Sequence, residues 1–282
     1  MTKTTNLVKA GLILLFVLLA FITLGSLVGF LGIYYGLGVG ILSNLLILFV
    51  GDKVFIAAMS GVKADKREYA ELIKLVGGLA DQAGLPGPEI VICPQKVPNA
   101  FSLGWSPKRS TIGLTQGAID QLNLDELAGV IGHELAHIRN RDTLLSSIVA
   151  TSAGMVSNVS IISLRGRGIG WGLQHLVMIS VPFSAALVRL CIRRKREFIA
   201  DKEGASIAGS VEGLISALIK MQAIAEQTVM ASMPINDHLM TVGPPPGDWL
   251  SALFSTHPSV QERVDRLQHY AKPERPGFGA AQ

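Results

Sequence analysis

The chain has 282 residues, of which 49% are hydrophobic and only 16% charged, with a mean hydropathy of +0.42 and a formal net charge of +4. That balance excludes an ordinary soluble domain and points to the bilayer. The basic residues flank apolar runs and form no stripe interleaved with aromatics, so nucleic acid is excluded as a partner and lipid headgroups are favoured. Two cysteines, Cys93 and Cys191, stand far apart and outside any C-x-x-C pair. They read as free thiols in a reducing compartment.

The first apolar run, from Leu7 to about Gly32, and the second, from Ile33 to Val50, are each long enough to cross a membrane. Gly51-Asp52-Lys53 ends the second. The linker between the runs carries no charge, whereas Lys3, Lys9, Lys53, Lys63, Lys66 and Arg67 lie at the outer ends. The positive-inside rule therefore predicts a hairpin with both ends in the cytoplasm. The first run is too long for a cleaved signal peptide and lacks a small-residue cleavage site.

From Asp65 the chain becomes amphipathic. Asp65 and Glu68 form a capping-box pattern ahead of Tyr69, Leu72, Val76, Leu79 and Ala83 at helical spacing, ended by Gly84 and Pro86. Short strands are predicted at Glu89 to Cys93, Asn99 to Trp105 and Ser110 to Leu114. Asn123 and Glu126 form a second capping box, which launches a helix carrying Leu127, Val130, Ile131, Leu135 and Ile138. Beyond Asp142 come two further apolar runs, Thr143 to Leu164 and Trp171 to Cys191, joined by an arginine-containing turn. This second hairpin is read as spanning, although its turn charges run against the positive-inside trend. A polar helix from Arg193 to Ile207 and an amphipathic one with Leu214, Leu218 and Met221 follow. Gln227 to Thr256 reads as a loop, and Pro258 as the first residue of a last helix. The expected units are residues 1–55 (hairpin), 56–142 (catalytic, first part), 143–192 (second hairpin), 193–272 (catalytic, second part) and 273–282 (disordered tail). The fold class is mainly α with a small sheet (α+β), in an integral-membrane protein with about four apolar helices.

The chemistry concentrates in His133-Glu-Leu-Ala-His137. Two histidines four apart share a helix face and are able to hold one zinc ion, and Glu134 beside them is placed to act as base on a zinc-activated water. The bland reading is a pair of hydrogen-bonded histidines. A catalytic zinc needs a third protein ligand. Glu197 and Asp201, one turn apart, offer a ligand and a brace for an imidazole. By spacing alone they read equally well as a solvated pair among Arg193, Arg194 and Lys202. Asp142 lies five residues past His137, which on a continuing helix turns it about 140° away from a metal.

Several pieces in order resemble the HtpX-like membrane metalloproteases, relatives of the CAAX-prenyl proteases. They are the N-terminal hairpin, Pro98-Asn-Ala-Phe101, the HELAH motif with Asp142, the second hairpin, Arg196-Glu-Phe-Ile-Ala-Asp201, and Thr256-His-Pro258. The resemblance implies a gluzincin of zincin-type fold. His133, His137 and Glu197 would hold one Zn2+ per chain, Glu134 would be the catalytic base, and Asp201 and Asp142 would support the ligands. It also implies a catalytic face toward the cytoplasm from a multi-pass inner (plasma) membrane protein, with misfolded membrane proteins as polypeptide substrates. Asn99, Ala100 and Phe101 are candidates for pairing with an extended substrate, and His257 for a contact with it or a helix cap. Two rivals remain: an intramembrane-cleaving zinc protease, which would need the motif within the bilayer, and a non-catalytic scaffold with a structural metal.

Overall fold

The computed structural model describes residues 2–27, 29–148, 194–227 and 258–271. Most of these are helical. The N-terminal hairpin consists of α1 (Thr2–Ser26) and α2 (Phe30–Ala58). The turn between them falls at Gly29, whose φ of 106° is open to glycine alone among common residues. The break expected near Gly32 is thus displaced, because Gly32 lies inside α2 against Gly25. A methyl group on Gly36 would come within 2.3 Å of the Phe21 carbonyl oxygen, so the two backbones touch. Such close approach through small residues is how apolar helices pair when lipid supplies no hydrophobic drive between them. Leu12, Leu31 and Tyr35 point outward and are exposed. Gly51-Asp52-Lys53 does not end α2, which continues to Ala58 because Phe55 finds a packing partner in the sheet.

That sheet has four strands in the order β1 (Val62–Lys63), β2 (Glu89–Cys93), β4 (Arg109–Thr115), β3 (Ala100–Ser106). β2 runs parallel to β4, and the other pairs are antiparallel. β2 is apolar at successive positions because both its faces are covered. Ile90 and Ile92 join the main core, whereas Val91 and Cys93 meet Phe55, Phe101 and Leu103 on the opposite side. The ring of Phe101 stands edge-on to that of Phe55, 5.1 Å away, which docks α2 on the sheet.

The helix α3 (Ala70–Gln82) begins later than the capping pattern suggests. Asp65 accepts hydrogen bonds from the backbone of Arg67 and Glu68, but these close a separate turn before the helix. A short helix, α4 (Gln116–Gln121), follows β4. At α5 (Leu124–Arg139) the capping box is complete, with Asn123 accepting from the Glu126 amide and Glu126 accepting from that of Asn123. α6 (Arg194–Ala208) and α7 (Val211–Gln227) pack on α5, with Leu214, Leu218 and Met221 buried. The last helix, α8 (Val260–Ala271), starts after Ser259, whose hydroxyl accepts from the Glu262 amide. Serine is therefore its cap, and Pro258 precedes it. Residues 142–148 are helical, and their Leu144, Leu145 and Ile148 pack on Ala10, Ile13 and Ile47 of the hairpin. The rest of the expected second hairpin, the loop from Gln227 to Thr256 beyond Gln227, His257 and the tail lie outside the described residues.

Candidate metal centre

Glycines bring the site's two main helices together. A methyl group on Gly132 would sit 2.5 Å from the Gly204 carbonyl oxygen, and one on Gly204 would sit 2.6 Å from the His133 Cα. α6 therefore crosses α5 in backbone contact beside His133. One turn back along α6 from Asp201, Glu197 reaches the same point as both imidazoles. The His133 and His137 Nε2 atoms are 3.1 Å apart, and each lies 3.6 Å from an oxygen of Glu197. All three donor groups fall within 4.8 Å of one another.

Each imidazole is held from behind. Asp201 lies 2.9 Å from His133 Nδ1, and Asp142 lies 3.0 Å from His137 Nδ1. A carboxylate there keeps the ring proton on Nδ1 and leaves the Nε2 lone pair facing inward. Asp142 does not follow the extrapolated helix. α5 stops at Arg139, Arg141 adopts φ 61°, and the chain doubles back so that Asp142 returns to His137. In turn, Asp142 accepts from Asn6 of α1 at 2.6 Å and pairs with Arg196 at 2.7 Å.

Behind Asp201 stands Arg263 of α8, itself only 1% exposed. It grips both oxygens of Asp201, at 2.6 and 2.9 Å. Burial alone would raise the Asp201 carboxyl, but the Arg263 charge and the hydrogen bonds from His133 and Arg263 bring it down to about 2. For His133, burial opposes the charged ring, yet hydrogen bonds to Asp201 and Glu197 prevail and lift it to about 9. A site this rich in carboxylates attracts a cation, whether proton or metal.

Glu134 is buried and accepts a 2.6 Å hydrogen bond from the Ser102 hydroxyl of β3. β3 is the sheet's edge, with β4 on one side and no strand on the other among the described residues. The side chains of Asn99, Ala100 and Phe101 are all buried, so any pairing with a substrate would use the β3 backbone. Ser102, Asn6, Arg196 and Arg263 escape sequence reasoning. Only Ser102 carried a usable signal, as a polar residue at the inward phase of an otherwise apolar strand.

Two nitrogen lone pairs 3.1 Å apart repel unless a proton or cation lies between them. Donors bonded at about 2.0–2.1 Å to a tetrahedral zinc stand about 3.3 Å apart, close to the spacings here. Four buried carboxylates (Glu134, Asp142, Glu197, Asp201) surround the two imidazoles, with Arg196 paired to Asp142 and Arg263 to Asp201, so the site is lined with acceptor oxygens that suit a cation. The residues fit a metal ion.

Residues 66–271 match the family profile described as Peptidase family M48. The chain belongs to peptidase family M48. Among its M48 relatives, a protease HtpX homolog from Sulfurihydrogenibium sp. is 36% identical over 92% of this chain and 94% of its own length. One from Salinibacter ruber is 42% identical over 74% and 77%. A solved structure, Ste24p of S. mikatae, superposes with a TM-score of 0.51 at 17% identity, covering 95% of this chain and 65% of that one. The chain thus spans about two thirds of Ste24p, and at that identity the likeness speaks for the fold. As an M48 member the chain is a membrane metalloprotease, with two helices long and apolar enough to cross a bilayer and a His-His-Glu group that can hold a metal.

Proposed function

We propose that this protein is a zinc endopeptidase of zincin-type fold in which His133, His137 and Glu197 hold one Zn2+ and Glu134 is the catalytic base. The observation that carries the reading is the convergence of two Nε2 atoms and a carboxylate on one point, each imidazole backed by its own carboxylate. Zinc bound there supplies a Lewis acid for the scissile carbonyl and lowers the pKa of water to about 7. Ser102 holds the Glu134 carboxylate in one orientation. Glu134 takes the proton of the attacking water and hands it to the leaving amine nitrogen. The open edge of β3 accepts the substrate as an additional strand, main chain to main chain. A structural metal would be closed by four protein ligands, and three argue for an open position.

The second apolar hairpin, residues 143–192, completes four spans between the two catalytic parts, 56–142 and 193–272. Substrates are misfolded proteins of the inner (plasma) membrane, cleaved on its cytoplasmic side. The charge flanking the first hairpin supports that orientation, and the Arg139–Glu203 ion pair at the end of α5 suits an aqueous boundary better than an intramembrane one. A cysteine at Lys63 in a chain lacking Cys93 and Cys191 should escape impermeant thiol reagents added outside cells. Strong external labelling inverts the topology. For the ligand set, purified protein should carry one equivalent of zinc and Glu197→Ala almost none. Folded Glu197→Ala protein with a full equivalent removes Glu197 from the set.

A further inference from the structure

A cavity of about 810 Å³ lies between the C-terminal third of α2 and the side of the sheet formed by β1, β2 and the β3–β4 hairpin, away from the metal centre. Its apolar lining is Leu48, Phe49 and Ile56 of α2 together with Ile73 and Ile90. Around the rest stand five cations against two acids, and Lys63 is engaged by Glu89 at 2.7 Å. Lys53, Lys66, Lys108 and Arg109 remain, all exposed and outside every ion pair found among the described residues. Trp105 joins the two chemistries. Its ring meets Phe49 edge-on at 5.6 Å and carries the Arg109 guanidinium 5.5 Å from its centroid.

The hairpin sets the height of this cavity in a bilayer. Asn44 donates to the Leu14 carbonyl, and a methyl on Gly36 would meet Phe21. Carrying that antiparallel register onward puts Asn6 level with Asp52. From Phe30, about 20 residues at 1.5 Å each traverse a hydrocarbon core of about 30 Å, which ends near Phe49. Leu48 and Phe49 thus border the acyl region, while Lys53, Lys108 and Arg109 stand at headgroup level with an exposed tryptophan, the residue that favours this interface. Leu48 and Phe49 below and a group of cations above match a molecule with an anionic head and hydrocarbon tails.

We propose that this cavity binds an anionic phospholipid, with its phosphodiester among Lys53, Lys66, Lys108 and Arg109 and its acyl chains along Leu48 and Phe49. The site requires that the hairpin cross a bilayer. It depends neither on the metal nor on which compartment the cavity faces. Because Trp105 lies in β3, three residues beyond Ser102, a lipid held here steadies the strand that supports Glu134.

The test uses the full chain in nanodiscs with Trp171→Phe and Trp249→Phe, so that Trp105 is the one tryptophan. Dibrominated phosphatidylglycerol should quench its fluorescence about threefold more than dibrominated phosphatidylcholine at equal mole fraction. Lys108→Gln with Arg109→Gln should bring the two lipids level. Lys74→Gln with Lys96→Gln, which removes as much exposed charge elsewhere, should keep the preference. Millimolar inorganic phosphate should leave it unchanged. Equal quenching by both lipids in the parent chain overturns the proposal, as does equal loss in the two charge variants, which would mean diffuse attraction. Abolition by phosphate would make it a site for a soluble anion and overturns it as well.

Discussion

Replacing Arg263 with methionine removes one member of a fully buried ion pair while keeping most of the side chain's volume. Asp201 would then sit 1% exposed with its charge opposed, among the described residues, by His133 alone. Its carboxyl is held at about 2 against an ordinary 3.8, which at about 1.4 kcal/mol per pH unit corresponds to about 2 kcal/mol of favourable pairing at neutral pH. Breaking buried pairs by removing one partner costs about 3–5 kcal/mol. About 3 kcal/mol is therefore expected, or a fall in Tm of roughly 6–12 °C for a unit of this size. The assay is thermal unfolding of the full chain in detergent with chelator present, so that metal loss cannot contribute. Adding Asp201→Asn to Arg263→Met should recover part of the loss, because the unpaired charge is then gone. A single variant within about 1 kcal/mol of the parent, or a double variant no better than the single, would refute the pairing argument.

Ser102→Ala removes the hydroxyl that orients Glu134, and should lower kcat about tenfold with zinc content unchanged; a parental kcat denies Ser102 that role. Asn6→Leu withdraws a donor from Asp142, and chelator competition should show zinc bound about 10-fold more weakly. Unaltered affinity would mean that α1 does not bear on the site. Cys93 is buried beneath Phe55 and Phe101, and burial pushes its thiol up to about 11. Maleimide at neutral pH should leave Cys93 unmodified in folded protein and label it after unfolding, whereas rapid labelling of the native chain would contradict the packing of α2 on the sheet.

Local chemistry was well written in the sequence. Asn123 and Glu126 announced α5 because both bonds of a capping box lie within four residues, and the turn residues bracketed all three longer strands. Asp65 and Glu68 show the same pattern and mislead by a turn, since a cap can close a turn that the helix does not continue. A continuing α5 would carry Asp142 away from His137; the positive φ of Arg141, a conformation that arginine does not advertise, instead brings it back to the Nδ1 side of that ring, while it stays outside the group that can hold a metal. Glu197 could be nominated by spacing, but its arrival at His133 depends on Gly132 meeting Gly204 across 72 positions. Arg263 had no legible signal, because an arginine in an amphipathic helix reads as solvated until its partner is known. The β1 strand, two residues long, exists through its pairing with β2 alone.

The proposed chemistry rests most directly on Glu134, and one comparison isolates it. Glu134→Gln keeps the shape of the side chain and the Ser102 contact but removes the capacity to take a proton. Purified parent and variant should each carry one equivalent of zinc, while casein cleavage by the variant should fall by about 10²–10⁴. A zinc-loaded Glu134→Gln protein that cleaves casein at the parental rate would contradict the account.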